Sequence, residues 1–354
     1  VHRILQFLWY RRDEGLAAKI LLAPLWLASH LYSRIASGRR QRLAGRGAKV
    51  TARVISIGNL TVGGAGKTPV AIHIARELQK RNARPAVLSR GYGRLDENRE
   101  AVVSDGECIL ESARRAGDEP LLIARSCPGV PVLVGPDRAS LARQAIARFG
   151  ARTLVLDDGF QHFKLRRDLD VVVLDASNPF GNGCLLPRGP LREPQNALSH
   201  AGLIWLSKVD QAPEAQILQL AGKARALTGR EPVRSSYRIS SLEGAAGRFL
   251  PPGALSGMGV LMCAGLARPG SFRRTLESAG AQVLGQVLFG DHHLFSSAEI
   301  ERVTRRAGRC GAEAIAITEK DAVRLPSAAL PHPWLVVRIE VEILSGAEIL
   351  AELC

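Results

Sequence analysis

Residues 54–81 read VISIGNLTVGGAGKTPVAIHIARELQKR, and the order of features in this stretch decides the fold. Residues 54–57 form a short β-branched run bounded by Gly58 and Asn59, which predicts a strand, while Val70, Ile74, Ala75 and Leu78 recur at helical spacing. Between them lies Thr61-Val62-Gly63-Gly64-Ala65-Gly66-Lys67-Thr68. A strand, a glycine-rich loop, Lys-Thr and a helix, in that order, predict a P-loop that holds a nucleotide. Glycines let successive backbone N–H groups close around phosphate oxygens, and the helix N-terminus adds favourable partial charge. Lys67 can reach the outer phosphates and the Thr68 hydroxyl can ligate Mg²⁺. Pro69 fits the first helical turn, which needs no N–H there. In one respect the loop departs from the usual spacing: a glycine is expected five residues before Gly66, where this chain has Thr61.

Outward from the loop the pattern is alternating α/β. Residues 85–89, 131–134, 153–156, 169–174 and 203–206 are short apolar runs of the kind buried in parallel sheets, and 138–149 predicts a helix. The expected core is a P-loop NTPase-type parallel sheet, residues 50–230, with helices on both faces and ligands at the carboxyl ends of its strands. After Pro251-Pro252-Gly253 the strands 258–263 and 314–318, the helix 269–279 and a capping-box start at Ser296 predict a second, smaller α/β domain over 258–334. Residues 231–257 are read as the connection, and 335–354 receive no assignment.

The chain has 354 residues, 46% of them hydrophobic, and 48 Lys+Arg against 33 Asp+Glu give a net charge of +15. That surplus favours an anionic partner: a phosphorylated substrate, an anionic membrane surface or nucleic acid. Aromatics are only 5%, with no zinc-finger spacing and no RNP-like segment, so nucleic acid is not expected. Six scattered cysteines without close pairs suggest reduced structural thiols.

Residues 1–49 differ in character and are expected to be an amphipathic, membrane-associated segment. Trp9, Tyr10, Trp26 and Tyr32 lie among Arg3, Arg11, Arg12, Arg34, Arg39 and Arg40, a composition suited to lying on an anionic bilayer surface. The uncharged stretch between Lys19 and His30 contains Pro24 and falls short of the ~20 apolar residues that a spanning helix needs. A helix packed on the protein's own core is the alternative, and no secretory leader is read here.

Further residues carry candidate chemistry. Asp157 and Asp158 end an apolar strand about ninety residues after the P-loop, where a Mg²⁺-binding carboxylate belongs. Adjacent strand residues point to opposite faces, so one of the two is expected to face the metal; a solvated turn is the other reading. Asp118 opens a helix and reads on its own as a cap or turn residue. Asp291-His292-His293 precedes a helix and admits a carboxylate–histidine general-base pair or a metal site. Arg188 and Arg192, on the proline-stiffened loop 185–194, are candidates for a substrate phosphate. Ser207-Lys208-Val209-Asp210 and Thr318-Glu319-Lys320-Asp321 are candidates for holding a nucleotide base.

Taken together, GNLTVGGAGKTP at 58–69, SRGYGR at 89–94, GDEP at 117–120, VLDDGFQH at 155–162, LPRGPLRE at 186–193, DHH at 291–293 and TEKDAVR at 318–324 resemble the tetraacyldisaccharide 4'-kinase family of lipid A biosynthesis. The resemblance covers about 50–325, and the family's P-loop is similar to this one at Thr61. It implies transfer of the ATP γ-phosphate to the 4'-hydroxyl of a lipid-anchored glucosamine disaccharide 1-phosphate, at the cytoplasmic face of the inner membrane. By the same resemblance Lys67 and Thr68 hold phosphates and Mg²⁺, Asp157 and Asp158 serve the metal, and Asp118 with His292 takes the hydroxyl proton. Arg90, Tyr92, His162, Arg188, Arg192 and Glu193 line the acceptor side, and no protein partner is called for. The competing expectation is a membrane-associated P-loop ATPase or GTPase switch. Switches of the partitioning type carry a second lysine early in the loop, where this chain has Val62.

Overall fold

The computed structural model describes residues 9, 22–266, 268–326 and 333–353. The expected aromatic patch of residues 4–10 therefore lies outside the described residues, apart from Trp9. Helix α1 (Ala23–Leu43) leads to strand β1 (Arg53–Gly58) and helix α2 (Lys67–Lys80). There follow β2 (Pro85–Ser89), β3 (Ala101–Ser104), α3 (Ala113–Ala116), α4 (Asp118–Ser126), β4 (Val132–Val134), α5 (Arg138–Phe149), β5 (Thr153–Asp157), β6 (Leu169–Asp175), β7 (Leu203–Ser207), α6 (Glu214–Thr228) and β8 (Val233–Glu243). The second half holds β9 (Phe249–Leu250), β10 (Gly259–Ala264), α7 (Pro269–Ser278), β11 (Gln282–Leu288), α8 (Ser297–Arg309), β12 (Ala314–Thr318), α9 (Glu319–Ala322), β13 (Trp334–Ser345) and α10 (Ala347–Leu353).

The described strands form one sheet in the order β11-β10-β12-β13-β8-β7-β6-β1-β5-β2-β4-β3, with β9 paired to β8. Each half is parallel, apart from the edge strand β3, which runs antiparallel to β4, and the two-residue β9, which runs antiparallel to β8. The halves meet where β8 and β13 pair antiparallel, Val336 opposite Glu243 and Ser345 opposite Arg234. Only the start of β8 pairs with β7 (Trp205 with Val233), and only the start of β13 pairs with β12 (Thr318 with Val337). Each long strand therefore overruns the carboxyl end of its own half, and the carboxyl edges of the two half-sheets face each other across a two-stranded ribbon.

This ribbon occupies both segments that the sequence leaves without structure. Residues 231–257, expected as a connection, contain β8, and 335–354 contain β13 and α10. β8 reads VRSSYRISSLE, with serines and arginines in place of a continuous apolar run, because much of it spans the cleft. Val341 and Leu350 join the largest core cluster, with Ile55, Val70, Ile74, Leu78 and Trp205. Local signals fix the other boundaries: the Asp137 side chain caps α5, and Ser296 with Glu299 forms a capping box at α8.

Replacing Trp334, 1% exposed and donating from its indole to Thr304 Oγ1, tests whether β13 belongs to the core. Trp334→Ala is expected to destabilise the chain by about 3–5 kcal/mol in denaturant unfolding. A change within about 0.5 kcal/mol, ordinary for an exposed surface site, would detach the C-terminal strand from the core.

Candidate active site

The P-loop leaves β1 at Gly58, where an added Cβ would lie 2.4 Å from Phe160 Cβ. Asn59 then folds the loop back: its amide donates to Thr61 O at 2.8 Å and its Oδ1 accepts from Lys67 Nζ at 3.1 Å. Thr61 is buried and pairs with Leu191, and Val62 N–H donates to Pro190 O. The position that lacks the usual glycine is thus strapped to the 185–194 loop. Gly63 and Gly66 take φ of +83° and +85°, and a Cβ at Gly66 would meet the Tyr237 hydroxyl at 1.9 Å. From below, Ser207 Oγ donates to Ala65 O and Lys208 Nζ donates to Gly64 O and to Asp175 Oδ2. The segment read as a base-holding candidate is in this structure a brace for the P-loop.

Asp157 and Asp158 differ sharply. Asp157 is buried and accepts from Ser89 Oγ at 3.2 Å, but its Oδ1 has no partner among the described residues. Burial, with Glu119 and Asp158 nearby, pushes its carboxyl up to about 7. Asp158 turns into the left-handed region (φ +52°), which breaks the strand alternation and brings its carboxylate 3.4 Å from Lys67 Nζ. Arg192 Nη1 donates to both its oxygens, at 3.0 and 2.9 Å. Burial would raise the Asp158 carboxyl, but the Lys67 and Arg192 charges outweigh it and hold it well below the usual range. A divalent cation fits this cluster: a buried unpartnered carboxylate oxygen asks for a positive charge, and Thr68 lies in the same cavity wall as Lys67. No three His, Cys, Asp or Glu converge as a cage among the described residues, in keeping with Mg²⁺ taking one or two carboxylates and completing its shell with phosphate and water.

The third group comes from both halves. Gly117, not Asp118, is the cap of α4, and Asp118 is the first helical residue with its carboxylate turned outward from its own helix. His292 Nδ1 lies 3.2 and 3.1 Å from the two Asp118 oxygens. Arg324 Nε donates to Asp118 Oδ2 at 2.7 Å. Burial alone would raise the Asp118 carboxyl, but the His292 hydrogen bond and the Arg324 and Lys320 charges carry it well below the usual range. Glu119 and Asp291, chain neighbours of the pair, share Lys320 at 3.0 and 3.3 Å and line the same cavity of about 480 Å³ as Gly64, Lys67, Thr68 and Arg268.

The expected acceptor residues are placed as follows. Gly91 and Gly117 pack against each other, since a Cβ at Gly117 would meet Gly91 Cα at 3.3 Å. That contact sets the exposed Tyr92 ring edge-on to His292 at 5.7 Å, with Arg90 exposed beside it. Arg192 engages Asp158, while Glu193 accepts from Arg40 of α1 at 2.6 Å in a buried pair. Arg188 is buried under α1, its backbone N–H donating to Ser29 Oγ. His162 follows β5, and burial beside Arg138 and Arg167 lowers it to about 4, so its ring is neutral at pH 7. His293 belongs to a different contact, with Glu299 at 3.1 Å and stacked on Phe289.

Sequence reasoning passed over Asp175, Arg268, Glu119 and Arg324. Arg268, at the start of α7, crosses to Asp175 Oδ2 at 2.9 Å and lies against Gly64. Glu119 and Arg324 lie within the motifs GDEP and TEKDAVR, but nothing local gives them these partners, 201 and 206 positions away; Asp175 at a strand's carboxyl end came nearest to a signal of its own.

A P-loop whose phosphate cradle shares a cleft with a carboxylate–histidine pair, Asp118 from its own half and His292 from the opposite one, defines a phosphotransferase-type site. Comparison with known proteins agrees. The profile of the tetraacyldisaccharide-1-P 4'-kinase family matches residues 19–354, and the chain belongs to that family. It is 51% identical to the tetraacyldisaccharide 4'-kinase of Anaeromyxobacter sp. (strain Fw109-5), covering 99% of this chain and 95% of that one. It is 41% identical to the enzyme of the same name from Syntrophus aciditrophicus, over 84% and 82% of the two chains. The crystal structure of the Aquifex aeolicus member of the family, in complex with ATP, superposes with a TM-score of 0.72 at 27% identity, over 95% of this chain and 98% of that one.

The His162 environment yields a pH prediction. Its folded-state value, about 4, lies below the ordinary 6.5, so the unfolded chain binds the extra proton between these limits. Its contribution to stability therefore rises with pH through that window and is lost as pH falls toward 4. His162→Gln is expected to flatten this part of the stability–pH curve in chemical denaturation. An unchanged slope would place the titration elsewhere.

Proposed function

We propose that this chain transfers the γ-phosphate of ATP to the 4'-hydroxyl of tetraacyldisaccharide 1-phosphate, at a membrane surface. The observation that carries this reading is the contact of His292 with Asp118, whose chain neighbours Asp291 and Glu119 line the P-loop cavity. A nucleotide-driven switch has no acceptor hydroxyl to deprotonate and no use for such a pair. A sugar hydroxyl is a poor nucleophile at neutral pH, and a positioned base contributes roughly 10²- to 10⁴-fold.

The roles follow from the geometry. Gly63 to Thr68 present backbone N–H groups and the start of α2 to the phosphates, and Lys67 follows the transferred group. Mg²⁺ bound by Thr68 and the Asp157–Asp158 pair would neutralise charge on the β- and γ-phosphates. Asp118 stays ionised because Arg324 holds it, so it accepts a hydrogen bond from His292 Nδ1–H; this leaves Nε2 free to take the proton of the acceptor hydroxyl, and the carboxylate then steadies the imidazolium. Arg90, Tyr92, His162 and Arg192 would form the side from which the disaccharide phosphate enters, with Arg188 and Glu193, buried against α1, holding that wall from behind.

Helix α1 supports the membrane reading. It turns Ser29 and Arg40 inward, to Leu185 O and to Glu193, and leaves Leu27, Leu31 and Ile35 exposed by 68%, 63% and 62%. These three share one face, next to Arg34, Arg39 and Arg42, as an interfacial helix on anionic lipid requires. None of the described helices is long and apolar enough to cross a membrane. Trp9 departs from the expected interfacial role: it is buried and donates to Pro187 O at 3.0 Å. The cytoplasmic leaflet of the inner membrane is the anionic surface this fits, and the substrate's acyl chains hold it there.

Purified protein with labelled ATP, Mg²⁺ and detergent-dispersed tetraacyldisaccharide 1-phosphate should give a bisphosphorylated product; its absence beside an active control enzyme would refute the proposal. Asp118→Ala and His292→Ala should each lower kcat by about tenfold or more while nucleotide binding is retained. Replacing Leu27, Leu31 and Ile35 together by serine should release the protein from anionic vesicles in flotation, with turnover on detergent-dispersed substrate retained. Full vesicle recovery would argue against the interfacial helix.

A further inference from the structure

We infer that Arg324 is a positioning residue of the phosphoryl-transfer step: its guanidinium fixes the Asp118 carboxylate, and through it the imidazole of His292. The inference rests on the reading of Asp118 and His292 as the proton-accepting pair.

Asp118 has no fixed bond of its own. As the first residue of α4, after a glycine cap that offers no side chain, it makes no capping hydrogen bond to its helix. Its orientation is set from the other half of the molecule. Arg324, 2% exposed in its side chain, donates to Asp118 Oδ2 from Nε at 2.7 Å and from Nη2 as well. Its remaining arm, Nη1, is committed to Gly265 O at 3.2 Å and to Asp321 Oδ1 at 3.1 Å. Asp321 is fully buried, and Thr318 Oγ1, at the end of β12, donates to its other oxygen at 2.7 Å. A planar fork pinned at both ends cannot swing, so the carboxylate it holds cannot swing either.

The consequence falls on His292. Its ring has a second carboxylate in reach, with Nε2 3.7 Å from Asp291 Oδ2, and its backbone sits at a φ of +61° with its N–H donating to Asp291 Oδ1 at 3.1 Å. If Asp291 captured Nε2, the nitrogen needed for the hydroxyl proton would be blocked. The cations prevent this from two directions. Arg324 and Lys320 draw on Asp291 Oδ1, at 3.8 and 3.3 Å, and Lys320 also ties Asp291 to Glu119. Arg324 meanwhile keeps Asp118 aligned under Nδ1. The edge-on Tyr92 ring completes the surroundings. Arg324 therefore selects which carboxylate the imidazole pairs with, and a single ammonium could not span Asp118, Asp321 and Gly265 O at once.

The test uses the full chain carrying Arg324→Lys or Arg324→Ala, each alone and combined with Asp118→Ala. The readouts are kcat, KM for ATP and for the detergent-dispersed disaccharide, and thermal unfolding. Arg324→Lys is expected to lower kcat by about tenfold, with KM for ATP changed less than about twofold. Added to Asp118→Ala it should cost nothing further, because it acts through that carboxylate. In Arg324→Ala, guanidinium below denaturing concentration should restore part of the lost turnover; if this variant does not fold, Arg324→Lys with its folded melting transition carries the result. Wild-type kcat in Arg324→Lys, a loss confined to KM for ATP, or losses that multiply in the double variant would each overturn the inference. Normal turnover by Asp118→Ala itself would remove the dyad reading, and the inference with it, whereas a defective Asp118→Ala beside an intact Arg324→Lys would remove the inference alone.

Discussion

The antiparallel pairing of β8 with β13 is the constraint on which the site depends. Parallel sheets gather ligands at the carboxyl ends of their strands, and one half-sheet offers one such edge. By reversing direction once, and by making each joining strand overrun its own half, the chain turns two carboxyl edges toward each other. The P-loop stands at the end of β1 and His292 follows the end of β11, so groups 225 positions apart in numbering, Lys67 and His292, work on one cleft. In a single continuous parallel sheet the two edges would lie side by side along one rim and leave the phosphate cradle without an opposing wall.

Ion pairs then hold the facing walls in register. Arg268 reaches from α7 to Asp175 at the end of β6, Lys320 from α9 to Glu119 on α4, and Arg324 to Asp118. In each, a cation from the second half meets a carboxylate from the first. Exposed pairs of this kind contribute little, but Asp175 and Asp118 are nearly buried, where an unpaired charge is costly. Breaking either by removing its cation is therefore expected to cost far more than the pair itself contributes.

Sequence carried the first half of this arrangement and little of the second. Glycines, Lys67 and Thr68 betray the P-loop because its chemistry is local: consecutive backbone amides close on one ligand, and the residues must be adjacent in sequence. Apolar runs such as 153–156 betray buried parallel strands for a similar reason. β8 escaped because a strand that bridges a cleft needs no continuous apolar face, so its serines and arginines read as a connection. Asp118 resembled a cap because that is what a carboxylate at a helix start usually is; only the resemblance to a kinase family gave it a chemical role. Arg324 stood at the end of the TEKDAVR motif without a role, since its value lies in a partner 206 positions earlier. The adjacent aspartates were misleading in a different way. Alternation along a strand allows one of them to face the site, but the left-handed turn at Asp158 ends the alternation and leaves both within reach of the phosphate cradle.

Three aspartates of one residue type are thereby driven apart by their surroundings, and the separation matches the chemistry asked of each. Asp118 and Asp158 each face an arginine that favours the charged form, one in contact with the His292 imidazole and the other beside Lys67. Asp157 is sealed with a bare oxygen and two acidic neighbours, and burial pushes it up to about 7. A carboxylate in that position is one whose charged form a nearby cation would favour. Divergent environments of this kind are how one fold assigns fixed and switchable charges at neutral pH.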